Sequence, residues 1–437
     1  MGCYGYGRAT TPRLDELATE SVLFENASSQ AAYTLPSMAS VFTALDPIAH
    51  GLRSHPDRQG RGQTLSGDLE TLPEKLKAAG YSTGAVISNS LFQRRFKGGF
   101  EAGFDRFDVG KRRRDAGPTS DIAIEWLGEL FELGQPFFLW VHYIDPHWPY
   151  DPPAGFARPF ACDDGGEYAR LLIRFLEGSI TREAINFDPP LSERGISAGI
   201  CAYDNEIAYA DGQIGRLLDR LRRLGLAEST LVVVISDHGE ALGDHGLTFA
   251  HSFTLYDEIE RVPLIVKPPG APRGVRVRQP VRLLDVAPTI CEILGLDPVA
   301  RGQGRSLCPL WIEGEGALPA APAYAESELW TGELINGLPP QRRRQMGTQK
   351  PGRWHMIRQG DFKLIWVPGR GGELYDLAQD PGERVNLITD PPPAAASLAR
   401  IMKEHLDRSS HELAVHGTGL TENDRAALEE ILRAMGY

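Results

Sequence analysis

Hydrophobic and polar positions along the chain alternate between two periods. Val232-Val233-Val234-Ile235 is a run of β-branched residues, too short and too branched for a helix, and predicts a buried strand. Phe137–His142 and Pro263–Lys267 read the same way, as do the shorter Val22-Leu23-Phe24 and Thr83–Ser88. Between them lie helical patterns. Pro12 opens one behind a Thr11 N-cap, and Leu72–Ala79 ends another at Gly80. Ile122–Leu133, Ile200–Leu224 and Val286–Leu294 carry apolar stripes at helical spacing. Strands alternating with helices predict an α/β fold, a mainly parallel sheet sandwiched by helices.

After Leu310 the pattern changes. Trp354–Ile357, Phe362–Trp366 and Glu373–Leu377 are short strands parted by glycine turns, predicting a small C-terminal antiparallel sheet. Helices over Ala394–Leu406 and Glu422–Met435 close the chain. The expected division is a catalytic α/β domain over 1–318 and a C-terminal α+β subdomain over 319–437. Residues from Ala154 to Ser197 lack a clear period and read as an insertion; Gly337–Arg353 reads as a basic loop. Both are expected at the rim of a pocket.

Composition narrows the function classes. Among the 437 residues, 42% hydrophobic and 24% charged is ordinary for a globular protein. A net charge of −12 argues against nucleic acid as partner. The one basic run, Lys111–Arg114, meets Asp115 at once and reads as a solvated loop. The cysteines (3, 162, 201, 291, 308) are scattered, with no CxxC spacing, which argues against a disulfide framework and a thiolate metal site. Cys201 and Cys291 lie in apolar helical patterns and are expected in the core. No run is apolar enough to span a membrane and no signal peptide is visible, so the chain as written reads as cytoplasmic, with an upstream signal peptide as the alternative and the oligomeric state open.

Candidate chemistry gathers where strands end. Asp237 and His238 follow the Val232–Ile235 strand, where open α/β sheets place their sites. Hard oxygen beside imidazole suits Zn or Mn and tolerates Ca. Taken alone, the pair reads first as a strand-end turn beside a surface histidine. His142, Asp145 and His147 leave the Phe137–His142 strand within six residues, a polar group that core packing does not require. Thr34 precedes Pro36 at a helix start, a ready anion site or simply an N-cap. His50 and His55 read as surface residues, Glu240 and Asp244 as loop acids, and His245 as solvent-facing.

Five segments, in order, resemble the sulfatase family of the alkaline-phosphatase superfamily: GYGRATTPRLDELA, TLPSMAS with FTAL, HYIDPHWPY, SDHGEALGDHG and HSFTLYDEIERVPLIV. GDFKLIW and ELYDLAQDPGERVNL resemble the family's C-terminal sheet, so the likeness spans nearly the whole chain. It implies that Asp237 and His238 are metal ligands for one or two divalent ions (Ca, Mn or Zn). It implies that His251 contacts an anionic ester, and that His147, with His142, contacts its oxygens or protonates the leaving group. The implied substrate is a small-molecule or glycan sulfate or phosphate ester. A His in second place resembles the branch that cleaves phosphonates and phosphodiesters.

Two departures stand out. The family's formylglycine-forming Cys is Thr34 here, with Met38 in place of Arg; Thr cannot become formylglycine, and a Thr34 alkoxide fits phosphoryl transfer better. Family members also begin with an apolar strand that ends in Asp ligands, whereas this chain starts at the segment after it. The sheet is then expected to show an apolar flank, and a truncated reading frame is the expected cause. Alternatives to a hydrolase are an inactive anion-binding protein of the same shape, or a phospho-group transferase.

Overall fold

The computed structural model describes residues 1–53, 64–93, 99–111, 113–162, 166–179, 191–270, 273–327, 353–367 and 371–413, with Ala426, Glu429 and Arg433. His55, most of the 337–353 loop and the closing helix over 422–435, single positions apart, lie outside these residues.

The elements that carry the site, in chain order, begin with α1 (Pro12–Thr19), β1 (Val22–Ser28) and α2 (Thr34–Thr43). Then come β2 (Ser82–Ile87), β3 (Arg106–Val109), α3 (Ala116–Leu133), β4 (Phe137–His142), α4 (Glu167–Leu176) and the 31-residue α5 (Glu193–Arg223). Next are β5 (Val232–Ile235), the hairpin β6 (Ala241–Leu242) and β7 (Thr248–Ala250), β8 (Arg261–Lys267), β9 (Val275–Val277), β10 (Val281–Arg282) and α6 (Val286–Ile293). Strands β11 (Ala323–Glu326), β12 (His355–Gln359), β13 (Phe362–Val367) and β14 (Gly371–Asp376) precede α7 (Ala396–Leu413).

The α/β class holds, with a difference inside the main layer. One sheet runs β10-β1-β8-β5, and β8 is antiparallel to both β1 and β5; β3-β2-β4 form a separate, all-parallel sheet. The small C-terminal sheet, β11-β12-β13-β14, is antiparallel throughout, as expected. The largest core cluster joins Phe24 of β1, Leu264 of β8, Phe42 of α2 and Ile87 of β2. Phe42 meets Trp140 of β4 edge to face at 4.9 Å, an arrangement the ring quadrupole favours.

Strands β4 and β5 are not paired with each other. Although FFLWVH and VVVI are among the most apolar runs in the chain, every residue of both is only partly buried. Both line one cavity of about 1010 Å³, which runs from Met1 and Leu218 up to Thr34, His147 and Asp237.

Four expectations are corrected. Cys201 is buried as expected, but against the expectation of no disulfide it is bonded to Cys162, tying the 154–197 stretch to α5. That stretch is not without period, because it contains α4 and the first turn of α5. His50 is 2% exposed, its Nε2 bonded to Ser40 and its Nδ1 accepting from Leu52 N–H. His245 does not face solvent; it stacks on Tyr256 at 3.7 Å and bonds to Glu258 at 3.0 Å. The opening GYGR residues are structural: Tyr6 and Arg8 both donate to Asp204 of α5, and the Tyr4 hydroxyl accepts from Leu264 N–H of β8.

Candidate active site

The end of β5 is locked by short polar bonds before any ligand is considered. Ser29, at the end of β1, and Ser37, in the first turn of α2, both donate to the Asp237 carbonyl at 2.6 Å. Ser236 Oγ donates to the carbonyl of His238 at 2.6 Å, and Asp237 Oδ1 accepts the His238 N–H. Gly239 then passes so close to Glu258 that a Cβ would lie 2.1 Å from its carbonyl oxygen. Its role is close approach of backbone to backbone.

Three functional atoms converge on this point. His238 Nδ1 lies 2.8 Å from the Gly239 carbonyl, which can only accept, so the proton sits on Nδ1 and the Nε2 lone pair faces inward. Nε2 is 3.5 Å from Thr34 Oγ1 and 3.5 Å from Asp237 Oδ2. Burial pushes the Asp237 carboxyl up, but the imidazoles of His238 and His142 and a hydrogen bond from Thr34 outweigh it, holding the group below the usual carboxylate range. Thr34 is the first residue of α2, with only 5% of its surface exposed, where the helix macrodipole favours negative charge.

Opposite this cluster stand two more imidazoles. His251, buried, lies with its ring 4.1 Å from that of His238 and 5.1 Å from that of His147. His147 Nδ1 donates to the Trp148 carbonyl at 2.6 Å, which orients the ring. Glu240, read from sequence as a plain loop acid, is buried and faces His251 Nδ1 at 3.4 Å. A carboxylate there stabilises a protonated imidazole. His142 sits behind the cluster among Phe92 and Trp140, and burial drives its pKa down against the opposing Asp237 charge. Tyr150 is packed among Trp148, Tyr203 and Phe249.

Asp237 and His238 offer the deprotonated oxygen and nitrogen that a divalent ion takes. Two donors are half of a four-coordinate shell. Among the described residues, no group of three or more His, Cys, Asp or Glu completes one. The donor types fit a metal, and a full shell needs further ligands.

A second polar cluster positions Thr34 from the C-terminal sheet. Glu326, at the end of β11 and fully buried, accepts from Arg53 Nε and Nη2 at 2.8 and 2.7 Å and from Arg353 Nη1 at 2.9 Å. Arg353 Nη1 also reaches the hydroxyl of Tyr33, the residue before Thr34, at 3.2 Å. The backbone of Ala31 bridges to Glu326 itself. Partners 273 and 300 residues apart leave no local pattern, so sequence reading had no signal for this cluster.

Comparison with known proteins bears on family and fold. A "Sulfatase" from Formosa agariphila is 27% identical over 436 residues, covering 87% of this chain and 78% of its own. The delta 4,5-hexuronate-2-O-sulfatase of Bacteroides thetaiotaomicron is 26% identical, covering 93% of this chain and 84% of its own. The phosphonate monoester hydrolase of Agrobacterium radiobacter shares the fold at 22% identity, with a TM-score of 0.69 over 97% of this chain and 95% of its own. The sulfatase family model matches residues 1–296, well over half the chain. That match makes the chain a member of the sulfatase family, a sulfatase-like ester hydrolase.

Proposed function

We propose that the protein hydrolyses phosphate esters, phosphodiesters in particular, with Thr34 as nucleophile. The observation that carries this reading is the place of Thr34 Oγ1, at a helix N-terminus, hydrogen-bonded to Asp237 and 3.5 Å from the His238 Nε2 lone pair. Thr34 Oγ attacks phosphorus and its proton passes to His238 Nε2. The bond from phosphorus to the ester oxygen breaks, and the leaving alkoxide takes a proton from the imidazolium of His251, which Glu240 stabilises. His147 binds a non-bridging oxygen. Water then attacks the phosphothreonine at phosphorus, giving a proton to His251, and the phosphorus–Thr34 bond breaks as the Thr34 oxygen takes back its proton from His238. A sulfate ester is the poorer substrate, because a threonine sulfate lacks the geminal hydroxyl through which a formylglycine diol expels sulfate.

With a divalent ion held on Asp237 and His238 and completed by further ligands, the His238 lone pair would be occupied, and the ion's Lewis acidity would replace it in activating Thr34 and would neutralise ester charge. Phosphonate hydrolysis by the Agrobacterium relative supports the phosphoryl reading, and the sulfatases among the relatives support sulfate esters, including those of sugars, as competing substrates. The test is turnover of bis-p-nitrophenyl phosphate, p-nitrophenyl phosphate and p-nitrophenyl sulfate with added Zn, Mn or Ca. The diester is expected to be the best substrate, and Thr34→Ala to abolish its turnover. Diester hydrolysis that survives Thr34→Ala, or turnover of the sulfate alone, overturns the proposal.

A further inference from the structure

The loop that carries His147 begins at Asp145 and ends at Asp151, and both ends meet one buried side chain. Glu206, in the middle of α5 and 1% exposed, accepts the Asp151 N–H at 2.7 Å through Oε1. Its other oxygen, Oε2, and Asp145 Oδ2 are both buried, and among the described residues no further group hydrogen-bonds either of them. The two carboxyl groups interact directly. Arg113 Nη2 stands 3.8 Å from Asp145 Oδ1 and 3.8 Å from Glu206 Oε1. One guanidinium cannot neutralise two adjacent carboxylates, and like charges in such a pair do not both ionise.

We propose that Glu206, carrying a proton, is the positioning residue for His147: it donates from Oε2 to Asp145 Oδ2 while Oε1 accepts from Asp151, clamping both ends of the loop. This rests on the reading of His147 as an ester contact. With Glu206 neutral, Asp145 and Arg113 form a balanced pair, and every buried polar atom of the group has a partner. Burial first, and then the Asp145 charge, push the Glu206 carboxyl up to about 8. Loss of that proton puts two carboxylates face to face and opens the clamp.

The groups that face it from other elements do not supply the switch. Asp115, beside Arg113, adds negative charge; Tyr143 at the end of β4, Tyr168 of α4 and Tyr209 one turn along α5 have raised hydroxyl pKa values and stay neutral here. Asp151 is paired with Arg158 on the surface. On α5 itself, the nearby Asp204 is paired with Arg8.

The test uses the full chain and its Glu206→Gln and Glu206→Ala variants. Histidine ring signals are followed by NMR from pH 6 to 9.5, with His147 assigned by its loss in His147→Gln. The wild-type His147 signal should shift through a transition near pH 8. Glu206→Gln should hold the low-pH position throughout, because an amide donates to Asp145 and accepts from Asp151 at every pH. Glu206→Ala should show the high-pH position even at pH 6; should it fail to fold, the Gln variant decides alone. Diester kcat/KM should fall above pH 8 more steeply in the wild type than in Glu206→Gln, by roughly a further tenfold per pH unit, any fall from deprotonation of His251 being common to both. A wild-type His147 signal without the transition, or a Gln variant that keeps it, overturns the clamp. Absence of all ester turnover counts against the proposed hydrolysis, while the His147 signal still decides the clamp.

Discussion

Replacing Glu326 by Gln tests whether the C-terminal sheet holds the segment before Thr34 through charge. Burial pushes this carboxyl up, but Arg53 and Arg353 outweigh it and hold the pKa at about 2, against an ordinary 4.5. At about 1.4 kcal/mol per unit, a difference of roughly 2.5 units is worth about 3 kcal/mol of folding stability. Removing one partner of a buried pair costs a similar 3–5 kcal/mol or so, because the other charge stays buried. The folded-state value is the lower one, so the native state binds fewer protons. The contribution is complete above about pH 4.5 and drains away as the pH falls toward 2.

The assay is urea unfolding of wild type and Glu326→Gln between pH 4 and 8, followed by the fluorescence of Trp354 and Trp366, which are buried in the same sheet. The expected gap is about 3 kcal/mol at pH 7, constant down to about 4.5 and smaller below. A gap under about 1 kcal/mol at pH 7, or one that widens in acid, would refute the reasoning. Because Arg353 also holds the Tyr33 hydroxyl, the variant should lose diester turnover before it loses its fold.

Thr34→Ser, which keeps a hydroxyl at the helix start, should retain measurable diester hydrolysis, whereas Thr34→Ala should lose at least about 10³-fold in kcat. Gly199→Ala should destabilise the fold by about 1–3 kcal/mol in urea titrations, because its Cβ would lie 1.9 Å from the buried Phe249 ring; an unchanged midpoint would show that the ring moves freely. Thiol titration of the denatured chain should count three free cysteines (3, 291 and 308) before reduction and five after it; five before reduction would remove the Cys162–Cys201 bond. Elemental analysis after dialysis should find substoichiometric metal in the 437-residue chain, and a tightly held equivalent would mean that further ligands complete the site.

Local pattern carried the class of the fold. Branching at Val232–Ile235, aromatic runs at Phe137–His142 and glycine-parted strands after Trp354 each declare their conformation within a few residues, because propensity and burial period are local properties. Strand ends were legible for the same reason, since polar residues that stop an apolar run must face solvent or a site. That marked His147 as part of a site and Asp237 and His238 as candidates that only the family resemblance raised to ligands, and the structure brings them together with Thr34 and His251.

What no local pattern contained was the pairing of distant polar groups. Glu240 looks like any loop acid until the β6–β7 hairpin folds it against His251, and Glu206 looks like one polar residue on an amphipathic helix until Asp145 and Asp151 reach it. His50 and His245 read as surface residues because a histidine carries its own polarity, and only tertiary packing supplies the partners that allow it to be buried. The antiparallel direction of β8 and the cleft between β4 and β5 are likewise long-range facts. Chain identity at each position determined which elements form; the contacts among them decided which charges meet, and so which side chains can move a proton.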